Sequence, residues 1–74
     1  MVVTVGKTYK HFKGHKYKVL MVARDSDSLA DVVIYEALYG DHIIWARAYD
    51  MFVSCVDHDK YPEVKQIYRF EQID

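Results

Sequence analysis

Three groups of side chains in this 74-residue chain have the types and spacing to do chemistry. Trp45 and Arg47 stand two apart in "HIIWARA", and Glu36 lies upstream in "VVIYEALYG". An indole beside a guanidinium can stack on a planar or cationic ligand, hold the apolar side chain of a peptide, or anchor a protein interface. The same three residues also allow an internal arrangement, a cross-strand Glu36–Arg47 pair with Trp45 covered by the C-terminal strand. The second group is "KTYKHFKGHKYK", which interleaves five lysines and two histidines with Tyr9, Phe12 and Tyr17. Here Lys10, His11, Lys13 and Lys16 can neutralise phosphates while the rings stack on bases. Alternatively, they make a solvated, lysine-rich edge strand that resists edge-to-edge aggregation.

The third group is weaker. Cys55 and His58 form a C-x-x-H pair, and His11 and His15 stand four apart. A structural zinc site needs four ligands, usually in paired clusters, and this chain has one thiol. The two histidines would align on a helix, but they flank Gly14 in a turn. No metal or other cofactor is expected, and Cys55, between Ser54 and Val56, reads as a small buried hydrophobe. Four His and eight Asp can always be paired on paper. Nothing places them within hydrogen-bond reach, and no G-x-S-x-G, P-loop or paired-glycine cradle occurs, so no catalytic residue is assigned.

The elements that must position these residues are short strands. "KYKVLMVAR" alternates, with Tyr17, Val19, Met21 and Ala23 on one face, a period of two that marks a strand. "DSDSLAD" (25–31) gathers Asp and Ser, which bond to nearby backbone and favour a loop. For residues 31–40 a helix capped by Asp31 and Gly40 competes with a strand. Eight residues between the caps make barely two turns, and Val32, Val33 and Ile34 are β-branched, so the strand is preferred. Gly40 and Asp41 then become a hairpin connection and "HIIWARA" the returning strand.

An even-length connection puts Ile34, Glu36, Leu38, Trp45 and Arg47 on one face. Val33, Tyr35, Ala37, Tyr39, Ile44, Ala46 and Ala48 then share the other, which has no charge and is the candidate core. "YDMFVSCV" reads as a tight turn and a short strand, and "VKQIYRFEQI" as the last strand. Five short strands with turns between them predict a mainly β fold, a small, mostly antiparallel SH3-like barrel formed by a single domain over residues 1–74.

"YKHFKGHKYKV", "VVIYEALYG" and "WARAYDMF" together resemble the small bacterial and phage family called domain of unknown function 1653. Its Tyr, His-Phe-Lys-Gly, Tyr, Val pattern matches Tyr9, His11, Phe12, Lys13, Gly14, Tyr17 and Val19. Its YxALYG matches Tyr35 to Gly40, and its Trp-x-Arg with Met-Phe matches Trp45, Arg47, Met51 and Phe52. The chain departs where the family usually has proline after the arginine and this chain has Ala48, and in the loop "RDSDSLAD". The resemblance implies a compact β-rich domain, an SH3-like barrel, and no established activity.

Composition sets the outer bounds. A domain this short buries only about 60% of the surface its unfolded chain exposes, so its core must be dense, and seven Tyr, three Phe and one Trp supply it. One cysteine excludes an internal disulfide framework and fits a reducing, cytoplasmic setting. "MVVTVGK" is too short an apolar run for a signal peptide, and no stretch nears the ~20 apolar residues that span a bilayer. Residues 1–18 carry five lysines and no acid, +5. Residues 19–74 hold five basic residues against eleven acidic ones, −6, which together give the net charge of −1. The expectation is a non-catalytic binding module for a protein or peptide through Glu36, Trp45 and Arg47. Nucleic-acid binding through the N-terminal basic stretch ranks second, and a small enzyme or enzyme accessory third.

Overall fold

In the computed structural model, which describes residues 2–74, the chain is built on one five-stranded antiparallel sheet. Its strands are β1 (Thr8–His11), β2 (Lys16–Arg24), β3 (Asp31–Ala37), β4 (Ile44–Ala48) and β5 (Phe70–Gln72). One helical turn, α1 (Tyr49–Phe52), follows β4. The spatial order is β4-β3-β2-β1-β5, so the first four strands form a meander and the last returns to the free edge of β1.

The strand reading of residues 31–37 holds, and its inward face is the expected one. Val33, Tyr35 and Ala37 are buried, and they join Val3, Tyr9, Val19, Phe52, Val56 and Phe70 in the core. Gly14 makes the β1–β2 turn with φ of 108°, a value that L side chains rarely adopt, and its N–H donates to the His11 carbonyl at 2.8 Å. Asp25 Oδ1 accepts the N–H groups of Asp27 and Ser28, both at 2.9 Å, which holds residues 25–30 as the expected loop.

The sheet does not close into the expected barrel, because β4 and β5 are its two edges. The cause lies at residues 49–56. Instead of a turn and a strand, Tyr49–Phe52 coils once and drops Phe52 onto the sheet, where its ring stacks on Phe70 at 4.1 Å and 5°. Tyr9 and Tyr35 meet Phe52 edge-on at 5.5 and 5.4 Å. The two edge-on pairs have the favoured geometry for aromatic rings. Only an isolated Cys55–Tyr68 bridge remains of the pairing expected there. Cys55 is exposed, not buried.

Two local irregularities change which side chains share a face. Leu20 is an extra residue between the Val19–Tyr35 and Met21–Ile34 pairs, a bulge that reverses the alternation of β2 beyond it. Val22 therefore pairs with core-facing Val33, and Met21 is 52% exposed. The β3–β4 connection is also odd in length. Ala37 N–H donates to the Ile43 carbonyl at 2.9 Å across residues 38–42, with Gly40 and His42 at φ of 56° and 54°.

Candidate functional site

The odd connection decides where the sequence-predicted site residues go. Tyr35 pairs with Trp45 and Val33 with Arg47, so Trp45 and Arg47 extend from the core side of the sheet. Glu36 pairs with Ile44 and Lys18 on the opposite side, where its carboxylate meets His42 Nδ1 at 3.1 Å. The expected trio is thus split, and Glu36 does not salt-bridge Arg47. The same register leaves Ile44, Ala46 and Ala48, expected in the core, exposed on the outer side.

The N-terminal basic group is divided in the same way. Lys10 pairs with Lys16 in the register of β1 and β2, so both lie on the outer face, opposite the side of buried Tyr9. His11 follows Tyr9's neighbour onto the inner side, where its ring packs on Phe12 at 4.4 Å and Phe70 at 4.9 Å. Lys13 comes with it from the β1–β2 turn.

His11, Lys13 and Arg47 meet residues from the C-terminal third around one cavity of about 420 Å³. Arg47, half-buried, donates from Nε to the Tyr35 hydroxyl at 3.2 Å and lies 5.7 Å from the Phe70 ring centre. Arg69, just before β5, donates from Nε to Ser54 Oγ at 3.2 Å. Ser54 directs its own proton to the Met51 carbonyl, so its oxygen is free to accept. Each guanidinium is therefore held by Nε against a neutral hydroxyl, with its terminal nitrogens left for another partner.

The far wall is a turn. Asp57 Oδ1 accepts the N–H groups of Asp59 and Lys60 at 3.1 and 3.3 Å, and the Asp57 carbonyl accepts Tyr61 N–H at 2.9 Å. This folds Lys60 and Tyr61 back toward the sheet. The Tyr61 ring sits 5.1 Å from Phe12, with Lys13 Nζ 5.7 and 5.9 Å from the two ring centres.

Four cations, Lys13, Arg47, Lys60 and Arg69, line the cavity against one carboxylate, Asp57. Among the described residues no carboxylate lies within 4.0 Å of any of the four cations. The surrounding field is visible in His11. Burial first, and then the charges of Arg47, Arg69 and Lys13, lower its pKa from 6.5 to about 4. His11 is neutral at pH 7, and its Nδ1 accepts Lys13 N–H at 3.1 Å.

Arg47 also borders a smaller cleft of about 190 Å³ with Tyr17, Tyr35, Tyr39 and Trp45. Trp45 is 47% exposed there. The Tyr17 and Tyr39 hydroxyls bond at 2.8 Å, and burial, followed by this bond, pushes the Tyr17 hydroxyl's pKa up.

Sequence reasoning placed Arg47, His11 and Lys13 among the candidates, with Phe12 as a stacking ring, and missed Arg69, Lys60, Tyr61 and Asp57. A faint signal was present. "FK" at 12–13 and "KY" at 60–61 each set an aromatic ring beside a lysine. Arg69 carries no such mark.

Fold and site together define a small, open antiparallel β domain with a basic, aromatic-edged cavity on the inner side of its sheet. The chain belongs to the family described as protein of unknown function (DUF1653), whose model matches residues 7–72. No curated protein and no solved structure matches it significantly.

Proposed function

We propose that this chain is a non-catalytic binding module whose ligand presents an anionic group to Arg47 and Arg69. The observation that carries this reading is the pair of guanidiniums anchored through Nε, unpaired with any described carboxylate and facing one cavity. An Arg fork held this way offers two parallel N–H donors to an oxyanion, the geometry that makes arginine the usual choice for carboxylate and phosphate. Nothing around the cavity forms a nucleophile–base pair: the one imidazole, His11, uses Nδ1 to accept a backbone N–H.

The three arginines of the chain provide an internal control, since Arg24 already pairs with Asp31 at 3.8 Å. In an NMR titration with inorganic phosphate at fixed ionic strength, the Nε–Hε signals of Arg47 and Arg69 shift together and saturate, and that of Arg24 does not. Equal, unsaturating shifts at all three would reduce the effect to bulk screening and end the proposal.

A second reading, a protein or peptide partner at Trp45, is favoured by one observation. The indole stands half-exposed beside Tyr39, itself 39% exposed, on edge strand β4. Trp and Tyr are enriched among residues that anchor interfaces.

A further inference from the structure

Resting on the anion reading above, we infer that the cavity takes a free nucleoside monophosphate. Three features of the same cavity each ask for a different part of that ligand. The four cations outnumber Asp57 by three, which suits a dianionic phosphate better than a single carboxylate. A tetrahedral anion fills a small part of about 420 Å³, a volume within the ~300–1,000 Å³ typical of small-molecule sites. The remaining space is bordered by Phe12 and Tyr61, 5.1 Å apart, whose rings carry Lys13 Nζ at 5.9 and 5.7 Å and, over Tyr61, Lys60 Nζ at 5.4 Å. A planar group stacks there once these flexible ammonium groups swing onto its phosphate. Asp57 supplies the third element. Its Oδ1 is occupied by two backbone N–H groups, and its Oδ2 takes no hydrogen bond from the described residues. That oxygen can accept from a ligand donor, such as a sugar hydroxyl or a ring amino group.

The placement of the other lysines favours a single nucleotide over a strand. A bound strand needs a basic track that follows successive phosphates. Lys10 and Lys16 lie on the opposite face of the sheet, so no such track leads out of the cavity from them. An aryl phosphate on a peptide would also match the cations and the rings, so phosphotyrosine is a competitor in the titration.

Isothermal titration calorimetry of the full chain tests this with adenosine 5′-monophosphate, uridine 5′-monophosphate, inorganic phosphate, adenosine, phosphotyrosine and a 5′-phosphorylated decanucleotide. At least one monophosphate binds about tenfold tighter than inorganic phosphate, the gain expected from stacking one base on aromatic side chains. Adenosine alone gives no measurable heat. Asp57→Asn keeps the Oδ1 acceptor but removes the free carboxylate oxygen. It tightens inorganic phosphate by removing a negative charge, while lowering the nucleotide-to-phosphate affinity ratio about fivefold. Tyr61→Leu, which leaves the Asp57 turn in place, lowers the same ratio and guards against a folding defect in the first variant.

If phosphate and both nucleotides bind equally well, the nucleotide inference is overturned and the anion reading stands. If the decanucleotide or phosphotyrosine binds more tightly than either mononucleotide, the inference is overturned in favour of that class. Absence of any saturable shift at Arg47 and Arg69 with phosphate overturns both.

Discussion

Lowering the pH from 7 to 4.5 destabilises this domain through His11, and the size of the effect follows from its surroundings. The imidazole has a pKa near 6.5 in the unfolded chain and about 4 in the folded one. Between these values the unfolded state binds more protons than the folded state, so stability rises with pH across this window. It is fully present above 6.5 and is lost as pH falls toward 4. The whole shift corresponds to about 3 kcal/mol at 1.36 kcal/mol per unit, of which roughly 2.4 falls between pH 7 and 4.5. His11 is only half-buried, and water reaching the ring screens the repulsion, so the expected loss is about 1 kcal/mol. Protonation also removes the Nδ1 lone pair that accepts Lys13 N–H.

Urea unfolding followed by Trp45 fluorescence measures this, with His11→Asn as the reference, because the Asn carbonyl keeps an acceptor near the Nδ1 position and does not titrate. Carboxylates contribute to both proteins and cancel in the difference. Wild type loses about 1 kcal/mol more than the variant between the two pH values. Saturating phosphate in the cavity reduces that difference, since it offsets the charges of Arg47, Arg69 and Lys13. An NMR titration placing His11 at or above 6.5, or identical pH slopes for the two proteins, would refute the reasoning.

Two further substitutions separate the site from the core. Tyr35→Phe removes the acceptor that holds Arg47 Nε at 3.2 Å. It weakens phosphate binding about three- to tenfold and costs about 1 kcal/mol in a denaturant melt, with Arg69 still responding in the NMR titration. Phe52→Ala empties the centre of the ring cluster, where the side chain is 0% exposed, and costs about 3–5 kcal/mol. For a chain of this length that approaches the whole stability, so near-ultraviolet circular dichroism should lose its aromatic signal.

The inner face of β3 was legible because three alternating residues, Val33, Tyr35 and Ala37, are apolar and small enough to pack, whatever the neighbouring strands do. Register was not legible, because it depends on loop parity. "LYGDH" folds as a five-residue connection through left-handed Gly40 and His42, and a histidine at positive φ has no reliable sequence mark. One residue of parity moved Trp45 and Arg47 to the inner side and left Glu36 outside. The bulge at Leu20 did the same to Met21 and Val22, in a run whose period looked unbroken. For "YDMFVSCV", β propensity competed with tertiary packing. The chain coils there and buries the Phe52 ring completely beneath the sheet.

The composition of the cavity is what a fold of this size would be expected to avoid. Clustering Arg47, Arg69, Lys13 and Lys60 around one cavity places like charges together, and Arg47, Arg69 and Lys13 add to burial in lowering the pKa of His11. Surface lysines can turn outward to relieve such repulsion, and Lys10 and Lys16 show that the outer face has room for cations. The two arginines do not take that route. Each is tied at Nε by a hydroxyl from a residue with its own structural duty: Tyr35 in the core and Ser54 at the end of the helical turn. A neutral hydroxyl fixes the direction of a guanidinium without cancelling its charge, whereas a carboxylate would have done both. The arrangement therefore keeps two oriented positive forks without a carboxylate partner among the described residues. If the proposed anion binds them in the folded state alone, saturating phosphate raises the domain's resistance to urea, and an unchanged urea midpoint counts against the proposal.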